Sequence, residues 1–99
     1  MVYITSVESD LYFSKARTKY FECINSEDNE FLNNEVKYPL ELIQLQNLTI
    51  KFIFSELDLN KYVVEVNLNL IDNLGGVIGK YMYQENNEGE SVDDSLIIF

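Results

Sequence analysis

The chain has no histidine and no tryptophan, one cysteine, one proline and only seven basic residues. Each shortage removes something. Without histidine the commonest general base is gone, and with it any Ser-His or Cys-His nucleophile. One cysteine, Cys23, rules out an intrachain disulfide and any zinc-binding cysteine spacing. With "KYFECI" read as helix, Cys23 is a small core residue and not a reactive thiol. No apolar run approaches the roughly twenty residues that span a bilayer. The opening "MVYITSVESD" carries neither the basic start nor the apolar stretch of a signal peptide. A cytoplasmic protein is expected, in which the sequon at Asn47 has no consequence.

The scarcity of cations sets the charge. Seventeen acidic residues against seven basic leave a net charge of −10. Such a surface is repelled by nucleic-acid phosphates and by anionic membranes. Direct nucleic-acid or membrane binding is therefore not expected, and a basic protein partner is. Solubility alone also accounts for an acidic balance. What is plentiful is core material: 46% of residues are apolar, with seven Tyr and six Phe. That is enough for one core without metal or disulfide staples, and residues 1–99 form a single domain.

Alternation is clearest from Leu48. "LTIKFIFSEL" sets Leu48, Ile50, Phe52 and Phe54 against Thr49, Lys51, Ile53 and Ser55. "YVVEVNLNLI" sets Tyr62, Val64, Val66, Leu68 and Leu70 against Val63, Glu65, Asn67 and Asn69. Period two over such lengths predicts half-buried antiparallel strands. "DLNK" suits a hairpin loop, "DNLGG" (Asp72 to Gly76) a glycine turn, "VIGKYMYQ" a third strand and "SLIIF" a fourth. Upstream, "VYIT" reads as a short strand, and "LELIQLQ" as a strand or one helical turn, the strand being preferred. From Ser9, Phe13, Ala16, Tyr20 and Ile24 recur at helical spacing, with Ser9 or Asp10 as the N-cap and Lys15 and Lys19 outward. A strand is the competing reading of this segment. The expected fold is α+β: an antiparallel meander of four to five strands with one N-terminal helix on one face. The other face, bearing Lys51, Glu65, Asn67, Asn69 and Lys80, is expected to meet solvent.

Three constellations invite a chemical reading, and each fails on spacing. In "LGGVIGK" the first glycine of a phosphate-binding loop would be Leu74, and Tyr81 follows Lys80 where Ser or Thr is required. Aligning Gly89 with the glycine of a calcium loop puts Gln84 and Ser95 at the two outer ligand positions, so both anchors are missing. Asp93 and Asp94 are adjacent, so on a strand they point to opposite faces and do not converge on a substrate. No enzymatic activity, cofactor or metal is expected.

"QENNEGESVDD" (Gln84 to Asp94) holds five carboxylates and no cation, between two apolar segments. Two charges about 7 Å apart repel by roughly 0.6 kcal/mol in water, so the fold tolerates them. A solvated loop that blocks edge pairing is one explanation. The other is docking: Glu85, Glu88, Glu90, Asp93 and Asp94 steer a cationic partner toward Tyr83 as anchor. Tyr81 and Tyr83 facing the core is the competing placement. A second acidic stretch without cations, Glu27, Asp28, Glu30 and Glu35, supplies a secondary surface, centred on Glu27, Asp28 and Glu30.

A small, acidic, histidine-free α+β chain ending in "GKYMYQENNEGESVDDSLIIF" resembles bacterial immunity proteins. These neutralise toxins such as those of contact-dependent growth inhibition, many of them basic nucleases. The likeness lies in size, charge and a Tyr-rich strand leading through an acidic loop to a final strand. It implies that an acidic face caps a toxin's cationic active site or substrate groove and keeps nucleic acid out. A phage-encoded inhibitor that mimics nucleic acid, of anti-CRISPR type, and an acidic adaptor subunit of a larger assembly are the alternatives.

Overall fold

Residues 5–26, 42–54 and 61–99 are described by the computed structural model. They form helix α1 (Ser6–Ile24) and strands β1 (Gln44–Phe54), β2 (Tyr62–Ile71), β3 (Val77–Asn86) and β4 (Ser91–Ile98). The strands pair antiparallel in the order β1-β2-β3-β4, and the helix packs on one face. The fold is therefore α+β, a four-stranded meander carrying one helix. Most of the expected "VYIT" strand, most of the "DLNK" loop and the acidic stretch at Glu27, Asp28, Glu30 and Glu35 lie outside the described residues. No described helix is long and apolar enough to cross a membrane.

The helix starts earlier than Ser9. Thr5 is the N-cap: its hydroxyl accepts from the Glu8 backbone N–H (3.1 Å), and Glu8 Oε1 reaches back to the Thr5 N–H (3.4 Å). This reciprocal pair satisfies two amides that a helix start otherwise leaves open. Ser9 and Asp10 accordingly sit inside the first turns. Ala16, Tyr20 and Ile24 are buried as the spacing predicts, with Phe13 packed beside them. Ala16 has no bulk to hold the helix away from the sheet. The Tyr20 ring meets Tyr81 edge to face, centroids 5.7 Å apart, a favoured geometry for aromatic pairs. Around them Val64, Val66, Leu68 and Leu70 of β2 complete the core.

Strand β1 merges two segments that read separately in sequence. Gln44 to Gln46 belongs to the same strand as "LTIKFIF", and a bulge between them restores the pleat. Register passes from Asn47–Leu68 to Thr49–Asn67, so Leu48 is the extra residue and is exposed, not inward. On the core side of the bulge, Arg17 donates to Asn47 Oδ1 (2.6 Å) and to the Leu45 carbonyl (3.1 Å), tying the helix to the edge strand.

The helix-free face carries the expected polar residues, yet they shade one another. Asn67 is only 7% exposed. It donates to Thr49 and Glu65, while Gln84 also donates to Glu65, and Lys51 lies 3.6 Å from the same carboxylate. These bonds hold the Glu65 carboxyl below its usual range, Asn67 contributing most and burial opposing.

Candidate functional site

The acidic tract is mostly strand, not loop. Strand β3 runs on to Asn86 and β4 begins at Ser91, which leaves a tight turn between them. Asn86 organises that turn. Its side-chain Oδ1 accepts from the Glu88 N–H (2.9 Å) and the Glu90 N–H (3.0 Å). Its own N–H donates to the Glu90 carbonyl, and Gly89 takes φ +82°, where a side chain would be strained.

The β2–β3 turn is built the same way. Asp72 Oδ1 accepts from Leu74 and Gly76 (2.9 and 2.8 Å), the Asp72 N–H donates to the Gly76 carbonyl, and Gly75 takes φ +82°. Only Gly75 of the glycine pair uses positive φ; a Cβ on Gly76 would instead press on the Asp72 carboxylate. The two turns align residue for residue. Where the first has Leu74 and Gly76, the second has Glu88 and Glu90. The backbone geometry of the turn therefore has no need of those two carboxylates, and the one bond that either makes within it, Glu90 Oε1 accepting from Asn86 Nδ2, is long at 3.4 Å.

The six expected contact residues separate into four placements. Tyr83 and Glu85 are each only 2% exposed, on the face that packs under the helix, and so are not on the surface as expected. Their strand positions explain it: Tyr83 pairs with Val66 and Glu85 with Val64, both core residues. Glu85 is held by Lys15 Nζ at 2.8 Å and by the Tyr83 hydroxyl at 3.2 Å, and Tyr83 also bonds Ser91. Lys15 thus reaches over the sheet rather than outward, and its bond to Glu85 raises its pKa. Asp94 is exposed but faces inward, accepting from the Tyr81 hydroxyl (2.8 Å). Burial, and then that bond, raise the Tyr81 pKa, while burial, and then Asp94, raise that of the half-buried Cys23. Asp93 is exposed and on the opposite face, as adjacent strand residues must be. Glu88 and Glu90 are exposed on the turn. Among the described residues none of Glu88, Glu90 and Asp93 has a cation within ion-pair distance.

Sequence reasoning missed what flanks the turn. Two clefts open at its base and share Tyr62, Asn86 and Asn87 as walls. The first, about 330 Å³, lies on the helix side between Leu11, Tyr12, Lys15 and Glu85. The second, about 490 Å³, is walled by Ile53, Phe54, Lys61, Val63 and Glu88. Tyr12, Phe52, Tyr62 and Phe54 form a row of ring contacts at 6.0, 5.8 and 5.4 Å through this end of the sheet. Leu11, Ile53 and Phe54 nevertheless stay 62%, 48% and 39% exposed. The signal was present as Leu11, one turn before the core stripe, and as Ile53, on the polar side of β1. A third cleft, about 290 Å³, runs along β4 between Lys19, Val92, Asp93 and Asp94.

Comparison with known proteins finds no matching family model, no matching curated protein and no matching solved structure.

Proposed function

We propose that this protein is an immunity-type inhibitor: it docks a basic protein partner, a toxin with a cationic active site or substrate groove, and acts by occlusion without catalysing a reaction. The observation that carries the reading is the pair of matching turns. One fold solution is used twice, and the copy flanked by exposed apolar and aromatic walls is the one that places uncompensated glutamates at its solvent-facing positions. Carboxylates at such a rim accelerate encounter with a cationic surface, and apolar residues beside them supply area to bury once contact is made. Glu88, Glu90 and Asp93 carry the steering. Glu85 and Tyr83 act from beneath, fixing the β3–β4 hairpin against the helix. Nucleic acid is disfavoured as a direct ligand by the net charge of −10.

The adaptor reading draws its support from the exposed Leu11, Ile53 and Phe54, since a permanent subunit interface is more apolar than a steered one. Capture of the partner from the source cell, followed by titration of the partner's own activity, separates the two. Stoichiometric loss of a nuclease or other toxic activity is the expected result. A partner whose activity is unchanged or enhanced at saturation contradicts inhibition.

A further inference from the structure

The two clefts lie on opposite sides of the acidic turn, and each contains a cation of the protein's own. Lys15 stands in the helix-side cleft, already neutralised by Glu85 at 2.8 Å, and Lys61 lines the other. A partner's basic side chain entering either cleft meets a lysine, with Glu8 bordering the first cleft and Glu88 the second. Among the described residues, Glu88 and Glu90 have no cation within ion-pair distance, and they lie on the turn between the clefts. The walls offer apolar contact: Leu11 and Tyr12 on one side, Ile53, Phe54 and Val63 on the other.

From this arrangement we infer that the partner presents a segment with basic residues at its centre and an apolar side chain at each end, straddling the β3–β4 turn. This rests on the docking reading above and specifies the chemistry that reading leaves open. Charge complementarity fixes the centre of the segment, and the clefts fix its ends. Ile53, Val63 and Asn86 occupy matched positions on the helix-free face, whereas Phe54, Tyr62 and Glu85 belong to the helix face, so the second cleft takes walls from both faces. The segment therefore runs from the helix face over the end of the sheet. Anchors four residues apart in an extended chain lie roughly 13 Å from each other, comparable to the ~10 Å depth of one packed layer. Removing either anchor leaves a basic segment held only by exposed charges, which salt screens within about 10 Å.

Three acetylated, amidated peptides test this by NMR titration of the full chain: Phe-Lys-Arg-Lys-Phe, Gly-Lys-Arg-Lys-Gly and Phe-Gln-Ser-Gln-Phe. The first is expected to bind at least about tenfold more tightly than either other, the ratio that one well-buried anchor supplies. Its amide shifts should appear at Leu11 and Ile53 as well as at Glu88. In a Leu11→Ser/Ile53→Ser double variant, both positions being exposed, its affinity should fall to that of the second peptide, with the second peptide's own affinity unchanged. Equal binding of the first and second peptides overturns the straddling segment while leaving cationic docking intact. Equal binding of the first and third overturns both. Failure of all three to bind also overturns the straddling segment, and docking is then decided by the captured partner alone.

Discussion

Glu85 is the residue on which the hairpin and the helix meet. A carboxylate this deeply buried holds its charge only if paired and hydrogen-bonded. Lys15 supplies the charge and Tyr83 the second bond. Replacing Lys15 with Met should cost about 2 kcal/mol in a urea unfolding series, less than for a fully buried pair because Lys15 is half exposed. Lys15→Met/Glu85→Gln should recover part of that loss, since no uncompensated charge remains. The pKa shifts add a pH signature. Lys15 is raised in the folded state, so its contribution is complete below the unfolded lysine pKa and is lost as pH rises through the folded value. Glu65 is lowered, so its contribution is complete above the unfolded glutamate pKa and is lost as pH falls through the folded value. Stability profiles should therefore lose part of their alkaline decline in Lys15→Met and part of their acid decline in Glu65→Gln. An unchanged alkaline limb in Lys15→Met would count against the ion pair. At the helix start, Thr5→Ala removes the cap and should cost about 1 kcal/mol, whereas Ser9→Ala, inside the helix, should cost little.

At the scale of elements, the turns make the sharpest prediction. Asn86→Ala strips two backbone amides of their acceptor and should destabilise by about 1 kcal/mol. Gly89→Ala, forced to positive φ, should cost on the order of 1–2 kcal/mol. Glu88→Gln/Glu90→Gln should leave thermal stability unchanged or raise it by a few tenths of a kcal/mol, because repulsion is removed while glutamine keeps an oxygen that can accept the long 3.4 Å bond from the Asn86 side chain. A marked destabilisation by the glutamine pair would mean that the carboxylates serve the turn after all. The strands were legible in sequence because period two needs no tertiary information: Val64, Val66, Leu68 and Leu70 announce their face by themselves. Leu48 reads as inward because a bulge shifts the face by one residue and leaves no mark in the alternation. The helix start was missed because Ser9 and Asp10 are as good caps as Thr5. What selects Thr5 is the returning Glu8 side chain, in the spacing "TSVE". Tyr81 and Tyr83 take the core-facing placement that competes in the sequence with a surface anchor, whereas Glu85 reads as surface because a charged residue at a core register position looks, in sequence, like the beginning of a loop. Its partner Lys15 is seventy positions away.

Across the whole molecule, the −10 charge is unevenly used. Glu85, Glu65 and Glu22 are matched by Lys15, Lys51 and Lys19. Among the described residues, Glu88, Glu90 and Asp93 meet no cation, at one end and along one edge of the sheet. The same imbalance makes the folded chain repel itself, so moderate salt should raise its melting temperature while weakening its hold on a cationic partner. The open carboxylates on β4 also discourage a second copy from pairing along that edge. Burying Leu11, Ile53 and Phe54 in a complex would supply the salt-independent part of affinity.

The most direct measurement is the association rate of the captured partner with the parent chain and with Glu88→Gln/Glu90→Gln/Asp93→Asn, across a range of salt. At low salt the neutralised chain should associate about tenfold more slowly or worse, and the two rates should converge as salt rises. Equal rates at low salt would contradict the claim that these carboxylates form a docking surface.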